Sequence, residues 1–367
     1  MNAPKLRFKE FNDEWKKAQI SSFVNINPKN DSLPEKFVYI DLESVNNGLL
    51  TSRKVINKSE APSRAQRTIV KNDILYQTVR PYQMNNLFIN RLDSDYPYIA
   101  STGYALLRTE ENPYFVYSIL YQKAFVNKVL NMCTGTSYPA ISANDLGTIF
   151  VCLPSIREQE KISRTLELLD KKIELQSKKI EDLKLFKKGL SNKIFSTLDV
   201  VKEEKLGNIC NITTGKLDAN AMVENGQYRF YTCAKDYYYI DKYAFDTEAL
   251  LISGNGAYVG YIHYYKGKFN AYQRTYVLDK FTENIQYIKV YLDEFLSKRI
   301  NSEKKEGNTP YIVLSTLSDM MIKLTNVTDE NKVINTFNNI NNKIDKEELK
   351  LNKLIELKKG LMQNMFV

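Results

Sequence analysis

The side chains of this sequence that could do chemistry are hydrogen-bonding ones, while the acid–base groups of hydrolytic catalysis are nearly missing. The single histidine, His263, would have to serve any Ser, His, acid triad. It lies inside the aromatic run IHYY and reads instead as a packed strand residue. No G-x-x-x-x-G-K-[ST] stretch is present to hold a nucleotide. The four cysteines, Cys133, Cys152, Cys210 and Cys233, form no C-x-x-C pair, and one histidine cannot complete a zinc site with them. A reduced, cytoplasmic protein without disulfides fits that usage. Two segments approach the Asn-Pro-Pro-Tyr motif that holds a flipped adenine, Asn112 to Phe115 and Asn308 to Tyr311. Each departs from it at one position and no F-x-G-x-G stretch for a methyl donor accompanies them, so both read as turns. The run Ser253 to Gly260 has glycines but no helix start behind it, which makes a poor phosphate cradle.

What remains is a set of polar and aromatic residues on presumed loops. Arg64, Arg67, Arg80, Gln83, Thr136, Ser137 and Tyr138 fall in the first half of the chain. Asn255, Tyr258, Gln273, Arg274, Asn308 and Thr309 fall in the second. Arg, Gln and Asn can present paired donors and acceptors to base edges, and Ser and Thr can hold phosphates. These residues are candidate DNA contacts, against the plainer reading that such side chains are simply what loops contain. A net charge of +9 suits a polyanion. The second module, Leu198 to Lys323, is balanced in sign, so recognition there has to rest on local geometry.

The elements that must position these residues come in duplicate. Leu153 to Phe195 aligns without a gap on Leu324 to Phe366, and KKGL at Lys187 to Leu190 recurs at Lys358 to Leu361. In the first copy Ile162, Leu166, Leu169, Ile173, Ile180, Leu183, Leu190 and Ile194 alternate at three and four. The second copy has Val333, Phe337, Ile340, Ile344, Leu351, Leu354, Leu361 and Met365. This is a heptad seam, narrower than the stripe of a helix lying on a globular surface. The two helices are therefore expected to pack on each other. An antiparallel register setting Lys187 against Glu347 and Gln176 against Lys358, with Ile180 near Leu354 and Leu183 near Leu351, would leave no seam charge unmatched. Helices of about 40 residues, rising ~1.5 Å per residue, span roughly 60 Å and can act as spacers.

Before each helix lies a module of short, alternating apolar runs divided by Gly, Pro and Asn, which predicts a mixed sheet with a few helices. FVYIDL at Phe37 to Leu42 and DILYQTV at Asp73 to Val79 are strands of the first; YRFYTCA, ALLISGNGAYVGYIHYY and YVLD supply strands of the second, with a helix over Ile285 to Ile300. Each module closes on a polar loop, a short helix and a last strand leading into its long helix. The fold class is α+β: a recognition module at 1–153, a spacer helix at 154–197, a second module at 198–323 and a second spacer helix at 324–367. The charged start and the lack of ~18 uninterrupted apolar residues predict a soluble chain without a membrane span.

With the repeat in view, LPSIREQEKISRTLELLDKKIE followed by LKLFKKGL and IF resembles the central helix of type I restriction–modification specificity subunits. LRFKEFNDEW resembles their opening, and TGTSYPAIS the closing loop of a target recognition domain. The second copy departs from the L-P-x-x-x-E-Q-x-K-I core, with TNVTDENKVI in its place. The resemblance implies a non-catalytic subunit whose two target recognition domains each read one half of a split, asymmetric double-stranded DNA site, with two long antiparallel helices forming a coiled coil between them in a pseudo-two-fold repeat. Two modification subunits, docking near basic faces such as Lys171, Lys172 and Lys343, would bring S-adenosylmethionine. Two restriction subunits would bring ATP, Mg and cleavage, and this chain would hold no cofactor or metal. The competing readings are a self-contained DNA methyltransferase or nuclease with an atypical site, and a coiled-coil scaffold with no DNA role.

Overall fold

In a computed structural model of the chain, residues 3–29, 32–46, 48–135, 137–303 and 311–367 are described. Two compact units are present: Met1–Ser177 with Leu349–Val367, and Lys178–Glu348. Each takes one module together with part of each long helix.

In the first unit the strand Ile74–Gln77 is buried at every position, so it reads as an apolar run instead of an alternation. Its side chains nevertheless divide by face. Ile74 and Tyr76 join Phe115, Phe125 and Val129 of the helical layer, while Leu75 joins Val38, Ile40 and Tyr98 of the other sheet. Ile74–Gln77 belongs to a four-stranded sheet with Val24–Ile26, Tyr104–Thr109 and Leu87–Phe88. The facing sheet is Lys54–Asn57, Lys36–Ile40, Tyr98–Ser101 and Ala65–Ile69. Lys16–Gln19 pairs antiparallel with Phe150–Leu153 and brings the start of the module to its end.

The second unit repeats this plan on different residues. The strand Phe245–Ser253 sends Leu250 and Ile252 toward the helix Ile285–Glu303. Ala249 and Leu251 go to the opposite face with Tyr231 and Phe269. It lies centrally in a six-stranded sheet between Thr275–Asp279 and Ile262–Ala271. Lys202–Lys205 pairs antiparallel with Met321–Leu324, as the first and last strands do in the first unit.

The central helix Ile156–Thr197 has 42 residues and the C-terminal helix Val327–Asn364 has 38. In the first unit Ile162 and Leu166 share a core with Leu361, Met365 and Phe366, and Lys358 reaches Asp170 at 2.5 Å. In the second, Ile194 and Phe195 share a core with Val333 and Phe337, and Lys179 reaches Glu347 at 3.0 Å. In both, residues rise along one helix as they fall along the other, so the segments run antiparallel. Of the seam residues, Ile162, Leu166, Leu169, Ile180, Val333, Phe337, Ile340, Ile344 and Met365 are buried. Ile173, Leu183, Leu190, Ile194, Leu351, Leu354 and Leu361 are half-buried.

The register expected from the seam charges is not the one formed. Lys187 pairs with Glu294 at 2.8 Å and lies over the Phe337 ring, Glu347 pairs with Lys179, and Lys358 pairs with Asp170. Matching the two helices alone left out the helix Ile285–Glu303, which supplies a shielded carboxylate to Lys187. The Asn112 segment is likewise a helix start and not a free turn: its side chain accepts from Phe115 N at 2.9 Å and caps Pro113–Ile119. Among the described residues no helix is long and apolar enough to cross a membrane.

Candidate nucleic-acid interface

The strand Ile74–Gln77 ends in a loop that carries the strongest candidates. Val79 bridges Ala140, Arg80 N donates to Pro139 O at 2.7 Å, and Ile141 N donates to Thr78 O at 3.0 Å. The loop is thereby tied to the closing loop of its own module. Arg80 adopts φ +54°, a left-handed conformation that non-glycine residues enter only at a cost. That turn sets the guanidinium 4.4 Å from the centre of the Tyr138 ring, a cation–π contact that holds it. Gln83, exposed, follows on a single turn, Pro81–Gln83.

Arg64, Arg80, Gln83 and Tyr138 line one open cleft of about 1040 Å³, along with Asn46 and Asn85. Arg67 does not line it: its Nε is buried without a hydrogen bond among the described residues, and burial pushes its guanidinium below the usual arginine range. Ser137 is exposed nearby, and Thr136 lies outside the described residues. Sequence reasoning passed over Asn46 and Asn85, and it passed over Gln77, the buried amide beneath the loop. A glutamine closing the otherwise apolar run ILY was the available signal.

In the second module the equivalent loop follows Ser253. Asn255 bridges Tyr311, and Ile312 N donates to Gly254 O at 2.8 Å. Gly254 N donates to Arg274 O at 2.9 Å, and a Cβ on Gly254 would stand 2.3 Å from that oxygen, so only glycine fits. Asn255 and Arg274 thereby become neighbours. Gln273 is exposed, with its Nε2 donating to Asp218 at 2.7 Å. Tyr258 is exposed on a separate groove lined by Lys289 and Asn341. Asn308 and Thr309 lie outside the described residues. His263 is a strand residue: its Nε2 is 3.1 Å from Ala234 O, its ring packs on Tyr231 and Tyr261, and burial depresses its pKa.

The start of each long helix anchors its module. Arg7 donates through Nε and Nη2 to both oxygens of Glu158 at 2.8 Å, and the carboxylate is 1% exposed. This bidentate pair holds the N-terminal segment against the helix. Gln159, equally buried, donates to Glu111 at 2.8 Å and to Pro154 O at 3.1 Å, and accepts from Asn112 N at 3.2 Å. The Glu-Gln pair of the REQEKI text is thus a clamp. The second copy has Asp329 and Glu330 there. Asp329 exchanges cap bonds with Asn326, and Glu330 is buried with its pKa raised by desolvation and then by Glu283. At the second of these positions the departure therefore replaces the neutral Gln159 amide by a buried carboxyl.

Comparison with known proteins fits this architecture. The family model for the type I restriction modification DNA specificity domain matches residues 12–185 and 199–357. The chain belongs to that family. It is 32% identical over 162 residues to the Type I restriction enzyme EcoDI specificity subunit of Escherichia coli, covering 44% of this chain and 36% of that protein. It is 26% identical over 171 residues to the HindI specificity subunit of Haemophilus influenzae, covering 45% of this chain and 37% of that protein. The matches thus span little more than a third of those relatives. The crystal structure of the type I restriction–modification S subunit from M. genitalium superposes with a TM-score of 0.66 at 19% identity, over 100% of this chain and 99% of that one. A chain from a structure of a type I R-M complex superposes at 0.58 and 20% identity, over 96% of this chain and 97% of that one. These structures share the fold: α+β modules and long antiparallel helices in a repeated arrangement.

Proposed function

We propose that the chain is the DNA-recognition subunit of a type I restriction–modification enzyme and is not itself a catalyst. Each module reads one half of a bipartite, asymmetric site in double-stranded DNA. The observation that carries this reading is the pair of equivalent loops, one after Gln77 and one after Ser253, each tied to the closing loop of its own module and each carrying different polar side chains. Equivalent placement with divergent chemistry is what two reading heads for two unlike half-sites require. Arg64, Arg80, Gln83, Ser137 and Tyr138 form the contact set of the first head, and Asn255, Gln273 and Arg274 that of the second. In this reading the length of the long helices fixes the gap between the half-sites.

Two modification subunits and two restriction subunits complete the enzyme on this frame. They bring S-adenosylmethionine for adenine methylation and ATP with Mg for translocation and cleavage. Base chemistry needs a nucleotide turned out of the stack, which suits recruiting the methylating subunit beside each half-site. The basic faces around Lys171, Lys172 and Lys343 are the docking candidates.

Mapping methylated adenines in host DNA, with the chain present and deleted, tests the proposal. A recurring two-part sequence that is lost on deletion is the expected result. Methyl transfer or cleavage by the purified chain alone would overturn it.

A further inference from the structure

Gln77 lies beneath the first reading loop with only 1% of its surface exposed, and its side-chain amide makes three hydrogen bonds there. Its Oε1 accepts from the backbone N–H of Asn85 at 3.0 Å, and its Nε2 donates to the backbone carbonyl of Val79 at 2.8 Å. A backbone N–H can only donate and a carbonyl can only accept, so these partners fix which end of the Gln77 amide is which. The remaining N–H of Gln77 Nε2 points at Gln83 Oε1, 2.8 Å away. Gln83 must therefore present its oxygen inward. Turning the Gln83 amide over would set one NH2 against another. Turning Gln77 with it would oppose both backbone partners. Asn86 steadies the platform by accepting from Gln77 N at 2.9 Å, itself 2% exposed.

We infer that Gln77 locks Gln83 as a donor-only reader, so that the base edge it takes is the keto edge of guanine or thymine. The outward end of Gln83 is an NH2 group that has no hydrogen-bond partner among the described residues. An unconstrained glutamine recognises adenine by accepting from N6 while donating to N7. Gln83 turns its oxygen inward to Gln77, so the adenine N6 and cytosine N4 amino groups meet an NH2 instead of an acceptor and are disfavoured. Guanine O6 and N7, or thymine O4, accept from it. Arg80, beside it on the loop, also offers only donors, which biases the whole head toward acceptors. Gln77 is a positioning residue and touches no base.

This rests on the DNA-reading function proposed above, and the test separates the two. Methylated adenines are mapped in a host carrying the wild-type chain with its modification subunits, then with Gln83→Glu. The carboxylate introduced by that substitution keeps one oxygen on Gln77 and turns the other outward, which makes the reader an acceptor. At one position of one half-site, guanine or thymine should give way to cytosine or adenine, with a preference change of about tenfold, whatever the general loss of affinity. Gln77→Glu should move the same position in the same direction, because a buried acceptor turns the Gln83 amide over. If that variant fails to fold, exposed Gln83→Glu decides alone. An unchanged target, or a uniform loss of methylation with no change of base, as a phosphate contact would give, overturns the assignment. Absence of any recurring target in the wild type overturns it together with the function beneath it.

Discussion

The loops after Gln77 and after Ser253 begin alike and then part. Both leave a fully buried strand end, both bridge to the closing loop of their module, and both turn into the left-handed region three residues past the strand end. Arg80 does so at φ +54° and Gly256 at φ +80°. Beneath the first loop the buried Gln77 amide binds Val79, Gln83 and Asn85. Beneath the second, the Ser253 hydroxyl is wholly buried and has no hydrogen-bond partner among the described residues. That loop is closed by backbone instead, with Gly260 N donating to Ser253 O at 2.8 Å. The first loop is wired by side chains that set which of its groups face outward. The other is shaped by glycines and leaves its outward groups to sequence. The duplicated frame thus keeps where a loop is held while changing how it is held.

The largest test of the duplication is at its paired aromatic anchors. Phe366 stacks on Phe115 at 5.2 Å and meets Trp15 edge-on, and Phe195 meets Phe295 at 4.9 Å and Tyr291 at 5.5 Å. Phe366→Ala and Phe195→Ala should each cost about 3–5 kcal/mol. Calorimetry should show the loss in a different unit for each, and a common loss from both would break the comparison. Next is the Arg7–Glu158 clamp, whose second copy is Asp329. Glu158→Ala strands a guanidinium that is 15% exposed and should cost about 3 kcal/mol, read by urea unfolding. Asp329→Ala, in the first turn of its helix, should cost distinctly less.

Arg80→Gly makes the first loop resemble the second. Relief of the left-handed strain, about 1 kcal/mol, is offset by the freedom glycine adds to the unfolded chain, so stability should hardly move. DNA binding should fall about tenfold with the guanidinium gone, measured by titration with the cognate duplex. Equal losses of folding and binding would show that Arg80 is structural. The smallest effect is expected from Glu330→Gln, which restores the residue of the first copy. The Glu330 pKa is raised in the fold, so the native state favours the proton. Its contribution is fullest below the unfolded carboxyl range and is lost as pH rises through that range and the folded value. The substitution should therefore raise the melting temperature at neutral pH by about a degree or two, with no gain below about pH 4.

The repeat, the seam residues and most strands were legible because they rest on period, which a single sequence displays. FVYIDL, DILYQTV and YVLD became strands, and Ile285 to Ile300 became a helix. The seam register was not legible, since Lys187 answers to Glu294 on a helix far away in sequence. Among the candidate contacts, Arg64, Arg80, Gln83 and Tyr138 converge on one cleft, while Arg67, of the same type and close by, is directed elsewhere. Strand register decides that difference, and composition does not carry it. Gln77 was passed over because a buried amide carries no marker of its role until its partners are known.

The division of the chain also bears on the order in which it can be built. The second unit, Lys178–Glu348, is one uninterrupted stretch, whereas the first needs Leu349–Val367 to complete it. Trp15 and Phe115 leave the ribosome well before Phe366, which shares their core. At about 5–20 residues per second that interval is many seconds. Of these two units, the one begun first is therefore the one whose core closes last.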